Sequence, residues 1–141
     1  MKTWIISTCA ALLILSGTTA CGKQEVVTQQ SEKNVTELFT TSEPIVVHYG
    51  DGHTIQLDDR LMEELIIKKL KAMPYTKVSG PAEVGQNFTL EFSSDKTYYS
   101  TGYFVIAKKV YKVTDKELVS ELSKYVIDVG RNSIPELLPG V

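Results

Sequence analysis

The chain has two histidines, and both sit in one short stretch, His48-Tyr49-Gly50-Asp51-Gly52-His53. No other cluster combines residue types that ligate metals so closely. A zinc ion needs three or four ligands converging at about 2.0 to 2.3 Å, which requires both imidazoles to point the same way. The flanking runs IVVHY and HTIQL are β-prone and make the stretch a hairpin. Its loop length therefore decides its chemistry. A two-residue Asp-Gly turn pairs Gly50 with His53 and puts Val46, His48, His53, Ile55 and Leu57 on one face. A three-residue loop with Gly52 in the left-handed conformation pairs Tyr49 with His53 instead. Ile45, Val47, Tyr49, His53, Ile55 and Leu57 then share one face, and Val46, His48, Thr54 and Gln56 share the other. Only the second register separates apolar from polar residues, and it turns the histidines apart. Metal binding fails on that geometry. One acid/base pairing is left, His48 with Asp51 or Asp58, which needs contact within about 2.6 to 3.2 Å.

A second chemical signal lies at the N-terminus. Lys2 is followed by a largely apolar run at residues 4–15, then by the small residues Ser16-Gly17-Thr18-Thr19-Ala20 and by Cys21-Gly22. A charged start, an apolar run of this length and a small-residue region define a secretory signal. As a helix the run reaches about 18 Å, short of the roughly 30 Å hydrocarbon core, so it is no permanent span. A small residue before Cys21 and a glycine after it resemble the lipobox of bacterial lipoproteins. The resemblance implies acylation at Cys21 and removal of residues 1–20. Thr18 departs from the pattern, which prefers an aliphatic residue there, and an ordinary cleavage site with a secreted product is the alternative. The chain's other cysteine, Cys9, falls inside the leader, so the mature protein has no partner for a disulfide.

The charge balance of 15 Lys and Arg against 17 Asp and Glu is slightly acidic and unclustered, which argues against nucleic acid. No Gly-rich phosphate loop and no G-x-S-x-G elbow occurs. Neither a catalytic set, a metal nor a cofactor is assigned.

The elements that must position these residues follow in order. Residues 21–43 are polar without apolar alternation and read as a lipidated N-terminus and flexible tether, with Val35, Leu38 and Phe39 as a short docking helix the alternative. The folded domain spans residues 44–131. After the hairpin, Asp58 serves as N-cap of a helix whose apolar stripe is Leu61, Met62, Leu65, Ile66, Leu70 and Met73. Lys68, Lys69 and Lys71 suit the negative end of its dipole, with a basic patch for anionic lipid headgroups or wall polymers the alternative, and Pro74 stops it. Residues 74–87, with two prolines and two glycines, read as a connecting loop. FTLEF is a strand, residues 97–107 a longer one, and residues 110–113 another.

In the long strand Tyr99, Thr101, Tyr103 and Val105 share one face, and Tyr98, Ser100, Phe104 and Ile106 the other, with Gly102 marking a bulge or close packing. A tyrosine row of this kind offers apolar rings with polar tips, so Tyr98, Tyr99 and Tyr103 are the candidate ligand-binding residues. Thr114-Asp115-Lys116-Glu117 reads as a capping box with Thr114 at the N-cap and Val113 and Leu118 as staple. The helix it opens buries Leu118, Val119, Leu122, Tyr125, Val126 and Val129 and ends at Gly130. Residues 132–141 form a C-terminal tail in which Ile134, Leu137 and Leu138 either pack back or fray.

The order β-β-α-β-β-β-α predicts an α+β fold, an antiparallel sheet of about five strands with both helices on one face. With the β-hairpin, the Lys-rich helix, FTLEF and the run YFVIAKKVYKVTDKELVSEL, the chain resembles small lipoproteins of Gram-positive bacteria of the YhfM-like type. That resemblance covers residues 45–129 and implies location and fold, with no catalytic motif. Two functions are expected from these features. One is a lipid-anchored, extracytoplasmic lipoprotein on the outer face of the cell membrane whose non-catalytic domain binds an envelope protein, wall polymer or small ligand. The alternative is a small envelope-associated hydrolase built on His48.

Overall fold

The computed structural model describes residue 39, residues 43–80, residue 82 and residues 85–141. The elements are β1 (Val46–Tyr49), β2 (Thr54–Gln56), α1 (Arg60–Lys71), β3 (Tyr75–Val78), β4 (Phe88–Ser93), β5 (Lys96–Tyr99), β6 (Tyr103–Ile106), β7 (Lys109–Val113) and α2 (Lys116–Ser133). All seven strands form one open antiparallel sheet in the order β2-β1-β4-β5-β6-β7-β3.

The first hairpin adopts the three-residue loop. Val47 pairs with Ile55 and His48 with Thr54. The Tyr49 N–H donates to the His53 carbonyl at 2.8 Å, and Gly52 sits at φ +93°. Ile45, Val47, Tyr49 and Leu57 are accordingly buried while His48 is exposed.

Two more strands form than the spacing predicts. Residues 97–107 are two strands, β5 and β6, joined by the turn Ser100-Thr101-Gly102, with Tyr99 opposite Tyr103. The turn copies the first hairpin, since the Gly102 N–H donates to the Tyr99 carbonyl at 2.8 Å with φ +87°. Gly102 is required by that φ and by Val119, whose Cγ2 lies 3.0 Å from where a Cβ would stand. Because the loop holds an odd number of residues, the alternation of faces continues through it. The other addition is β3, inside the segment read as a loop, which pairs along β7 from Tyr75 opposite Val113 to Val78 opposite Val110. Pro74 stands just before β3 and both glycines after it, so they bound an edge strand rather than forbid one.

The face of the sheet that is covered carries Tyr49, Val47, Leu90, Tyr98, Phe104 and Tyr111, each opposite the next across a ladder or two positions along a strand. These residues join Ile66, Leu70, Leu122 and Val126 of the helices in one core. Strands β2 and β3 are opposite edges of a sheet about 30 Å wide, so α1, which links them, must cross the whole covered face. It is about 18 Å long and completes the crossing with its connecting residues.

Both helices begin one residue later than predicted. Asp59, not Asp58, caps α1 by accepting from the Leu61 N–H at 2.8 Å. Asp115, not Thr114, caps α2, accepting from Glu117 and Leu118 N–H at 2.9 and 3.2 Å. Thr114 instead extends the sheet, its N–H donating to the Pro74 carbonyl at 3.1 Å. With Asp115 as N-cap, Glu117 sits one place short of N3 and no capping box forms.

Helix α2 passes over Ser100, whose carbonyl accepts from Ser123 Oγ at 3.5 Å, and ends against β1. Gly130 is not its C-cap. The helix continues to Ser133, and Gly130 is a glycine because the Tyr49 ring and Leu137 occupy the space a Cβ would need. The tail packs back on this corner, with Leu137 and Leu138 1% and 8% exposed. In α1 the predicted stripe is only half buried. Ile66, Leu70 and Met73 are interior, but Leu61 and Leu65 face outward.

Phe39, from the segment read as tether, is 1% exposed. It stacks on Phe104 at 4.6 Å between centroids and touches Tyr75 and Phe92 at 5.7 and 6.2 Å. The lipid-attachment candidate Cys21 and the leader lie outside the described residues.

Replacing a buried phenylalanine by alanine removes apolar burial and leaves a cavity, together worth about 3–5 kcal/mol. Phe39→Ala should lower the urea-derived unfolding free energy by about that much. A loss under about 1 kcal/mol, the size of a surface substitution, would place Phe39 outside the cooperative core.

Candidate ligand-binding face

The face of the sheet that no described helix covers is set by the same pairings, read at the alternate positions. One row runs Thr54, His48, Thr89, Tyr99, Tyr103, Lys112, Thr76 across all seven strands. Tyr99 and Tyr103 lie at its centre as neighbours, brought together by the turn at Ser100-Thr101-Gly102. Tyr99 is half-buried and Tyr103 is 6% exposed. The Lys112 ammonium stands 5.1 Å from the Tyr103 ring centroid, a cation–π distance, and its stem helps cover the ring. Tyr98 points the other way. It is fully buried beneath the helices, and its hydroxyl has no hydrogen-bond partner among the described residues. Burial raises its pKa well above that of a free phenol. Of the three candidate tyrosines, Tyr99 and Tyr103 share the uncovered face and Tyr98 does not.

His48 occupies one end of the row. Its Nε2 is 3.0 Å from Glu91 Oε2 and its Nδ1 3.2 Å from Thr54 Oγ1. Carboxylate, imidazole and hydroxyl in that order match the connectivity of an orienter–base–nucleophile relay. Here the group lies on an exposed strand surface, with 45% of the His48 side chain and 43% of the Glu91 side chain open to solvent. Strand β1 lies between β2 and β4, so its backbone donors are spent in the ladders rather than gathered as an oxyanion cradle. The structure does not bring His48 to either predicted partner. Asp58 accepts from Gln56 Nε2 at 3.2 Å, and Asp51 is held elsewhere.

Asp51, in the loop between β1 and β2, is the linchpin of the corner where the C-terminal tail packs. Its Oδ1 accepts the His53 N–H at 3.1 Å and lies 3.1 Å from His53 Nδ1, while its Oδ2 accepts the Leu138 N–H at 3.0 Å. The Leu138 amide is the chief cause of a pKa below the usual aspartate value, opposed by partial desolvation and reinforced by His53. Arg131 holds the same tail from the other side, its Nε and Nη2 donating to the carbonyls of Leu137 and Leu138 at 3.3 and 3.1 Å. Beneath this corner the Tyr49 hydroxyl donates to the Val126 carbonyl at 3.0 Å. Desolvation, with the nearby Asp51 charge, pushes the Tyr49 pKa up to about 12. Nothing in the sequence pattern marks Asp51 as a tail anchor, because its partner is a backbone amide 87 residues away.

Among the described residues no group of three His, Cys, Asp or Glu side chains converges as a metal site. No helix among them is long and apolar enough to cross a membrane. No protein family, curated protein or solved structure matches the chain.

The lowered Asp51 pKa fixes the sign of an acid effect. Its contribution to stability is complete above the unfolded aspartate pKa of about 3.9 and is lost as pH falls through the lower folded value. Asp51→Asn should therefore show a reduced unfolding midpoint at pH 7, with the gap to wild type closing below about pH 4. A gap that stays constant into acid would contradict the tail anchor.

Proposed function

We propose that this chain is a lipid-anchored extracytoplasmic lipoprotein, acylated at Cys21, whose domain is a non-catalytic binding module. The YhfM-like resemblance belongs to the same proposal. The observation that carries the binding half is the sheet face that no described helix covers, where the half-buried Tyr99 presents its ring beside Tyr103, itself 6% exposed under the Lys112 stem. Helices dry the other face. Rigid aromatic rings with polar tips bind at little entropic cost, and a neighbouring ammonium adds affinity for acceptor-rich partners. A wall polymer or an envelope protein fits that chemistry. The anchoring half rests on residues 1–21, and secretion without a lipid is its alternative. A hydrolytic role for His48 would have to run through Glu91 and Thr54.

Detergent phase partition tests the anchor. Wild type is expected in the detergent phase and Cys21→Ser in the aqueous phase, and an aqueous wild type defeats the claim. Binding is tested by co-sedimentation with purified cell wall and by crosslinking in envelope fractions. Tyr99→Ser should lower capture about tenfold while the unfolding midpoint stays within a surface substitution's range. Capture unaffected by Tyr99→Ser, or a hydrolytic activity that disappears in His48→Ala, would overturn the binding-module reading.

A further inference from the structure

The most exposed leucines among the described residues lie on α1, where Leu61 is 70% and Leu65 45% exposed. Four residues apart, they share one face of the helix, and Lys68 and Ala72 continue the line. Beside that line lies a groove of about 300 Å³ between α1 and α2, floored by Ala72, Met73 and Leu118 and rimmed by Lys68, Lys69 and Glu121. The helix buries Ile66 and Leu70 in the core cluster, to which Leu61 and Leu65 do not belong, although Leu65 lines the groove beside Met73 and Leu118. Three lysines fill its last turn. Lys69 stands 3.7 Å from Glu121, whereas Lys68 and Lys71 extend into solvent beside the apolar line.

The margin of this line carries the Arg60–Glu64 pair at its start and the charges of Lys68 and Lys71 at its end, so it is net basic. Apolar side chains in a row with such a margin suit a helix that lies flat in a bilayer interface, leucines in the acyl boundary and ammoniums at anionic headgroups. We propose that α1 is an interfacial contact that seats the domain on an anionic bilayer through Leu61, Leu65, Lys68 and Lys71. This rests on the reading that Cys21 holds the chain at a membrane. The contact fixes the domain's orientation there, whereas a lipid on a tether fixes only its distance.

The test uses residues 22–141, which lack the leader and Cys21 but contain every described core residue, in flotation with vesicles. Binding to vesicles containing phosphatidylglycerol is expected, with none to pure phosphatidylcholine and loss at high salt. Leu61→Ser with Leu65→Ser should reduce binding about tenfold or more at an unchanged unfolding midpoint. Lys68→Gln with Lys71→Gln should reduce it on anionic vesicles similarly. No binding to anionic vesicles, or binding that ignores the leucine pair, overturns the proposal. So does a dimer in analytical ultracentrifugation that the leucine pair dissolves, since the face is then an interface between copies. Flotation decides this contact whatever the state of Cys21, and detergent partition of the full chain decides the anchor.

Discussion

One requirement shapes the whole domain: a seven-stranded sheet has a wide apolar face to dry, and among the described residues two helices dry most of it. The cover has to reach from β2 at one edge to β3 at the other. Helix α1 makes that crossing because the chain must travel between the same two edges, and α2 runs back toward β1. The remaining area is closed by Phe39, which stacks on Phe104 and meets Tyr75 and Phe92. A polar segment thus supplies one aromatic ring where the helices leave a gap. Burying such a ring removes on the order of 200 Å² from water, a large term against a net stability of about 5–15 kcal/mol.

The corner where α2 meets β1 shows how tightly the cover is fitted. Tyr49 reaches under α2 to the Val126 carbonyl, and its ring lies where any side chain at position 130 would project. A glycine inside a helix costs roughly 0.5–1 kcal/mol relative to alanine, and here close approach of a buried tyrosine offsets it. The C-terminal tail seals the same corner, with Asp51 taking the Leu138 N–H and Arg131 its carbonyl. The two residues at the hairpin loop that suggested chemistry, Asp51 and His53, therefore work in architecture.

Much of this was legible in the sequence where side-chain period alone decides. The register of the first hairpin followed from separating apolar from polar residues. The faces of Tyr99 and Tyr103 came out correctly although the turn between them was missed, because a three-residue loop preserves alternation. What stayed hidden depends on tertiary placement. The proline and glycines around β3 bound an edge strand, and composition cannot tell that from a loop. Adjacent capping candidates at Asp58-Asp59 and Thr114-Asp115 are separated only by where the preceding strand stops pairing. Leu61 and Leu65 satisfy the helical period as well as Ile66 and Leu70, and nothing local says which arc meets the sheet. Phe39 stood in a polar segment where its spacing from Val35 and Leu38 made a docking helix only the alternative to a tether. In the candidate site, the parity of Tyr98 was readable but its burial on the helix side was not. The Glu91 partner of His48 lies 43 residues away.

The functional account assigns the two surfaces of the domain to two tasks, the sheet face with Tyr99, Tyr103 and Lys112 to a ligand and the outward side of α1 to the membrane. The ligand task stands apart from the anchor, whereas the membrane task rests on the proposal that Cys21 holds the chain at a bilayer. Mass spectrometry of the tryptic N-terminal peptide from the membrane fraction tests that most directly. The account predicts Cys21-Gly22-Lys23 carrying diacylglycerol at the cysteine as the mature N-terminus. An unmodified Cys21, or a chain that retains residues 1–20, would contradict it.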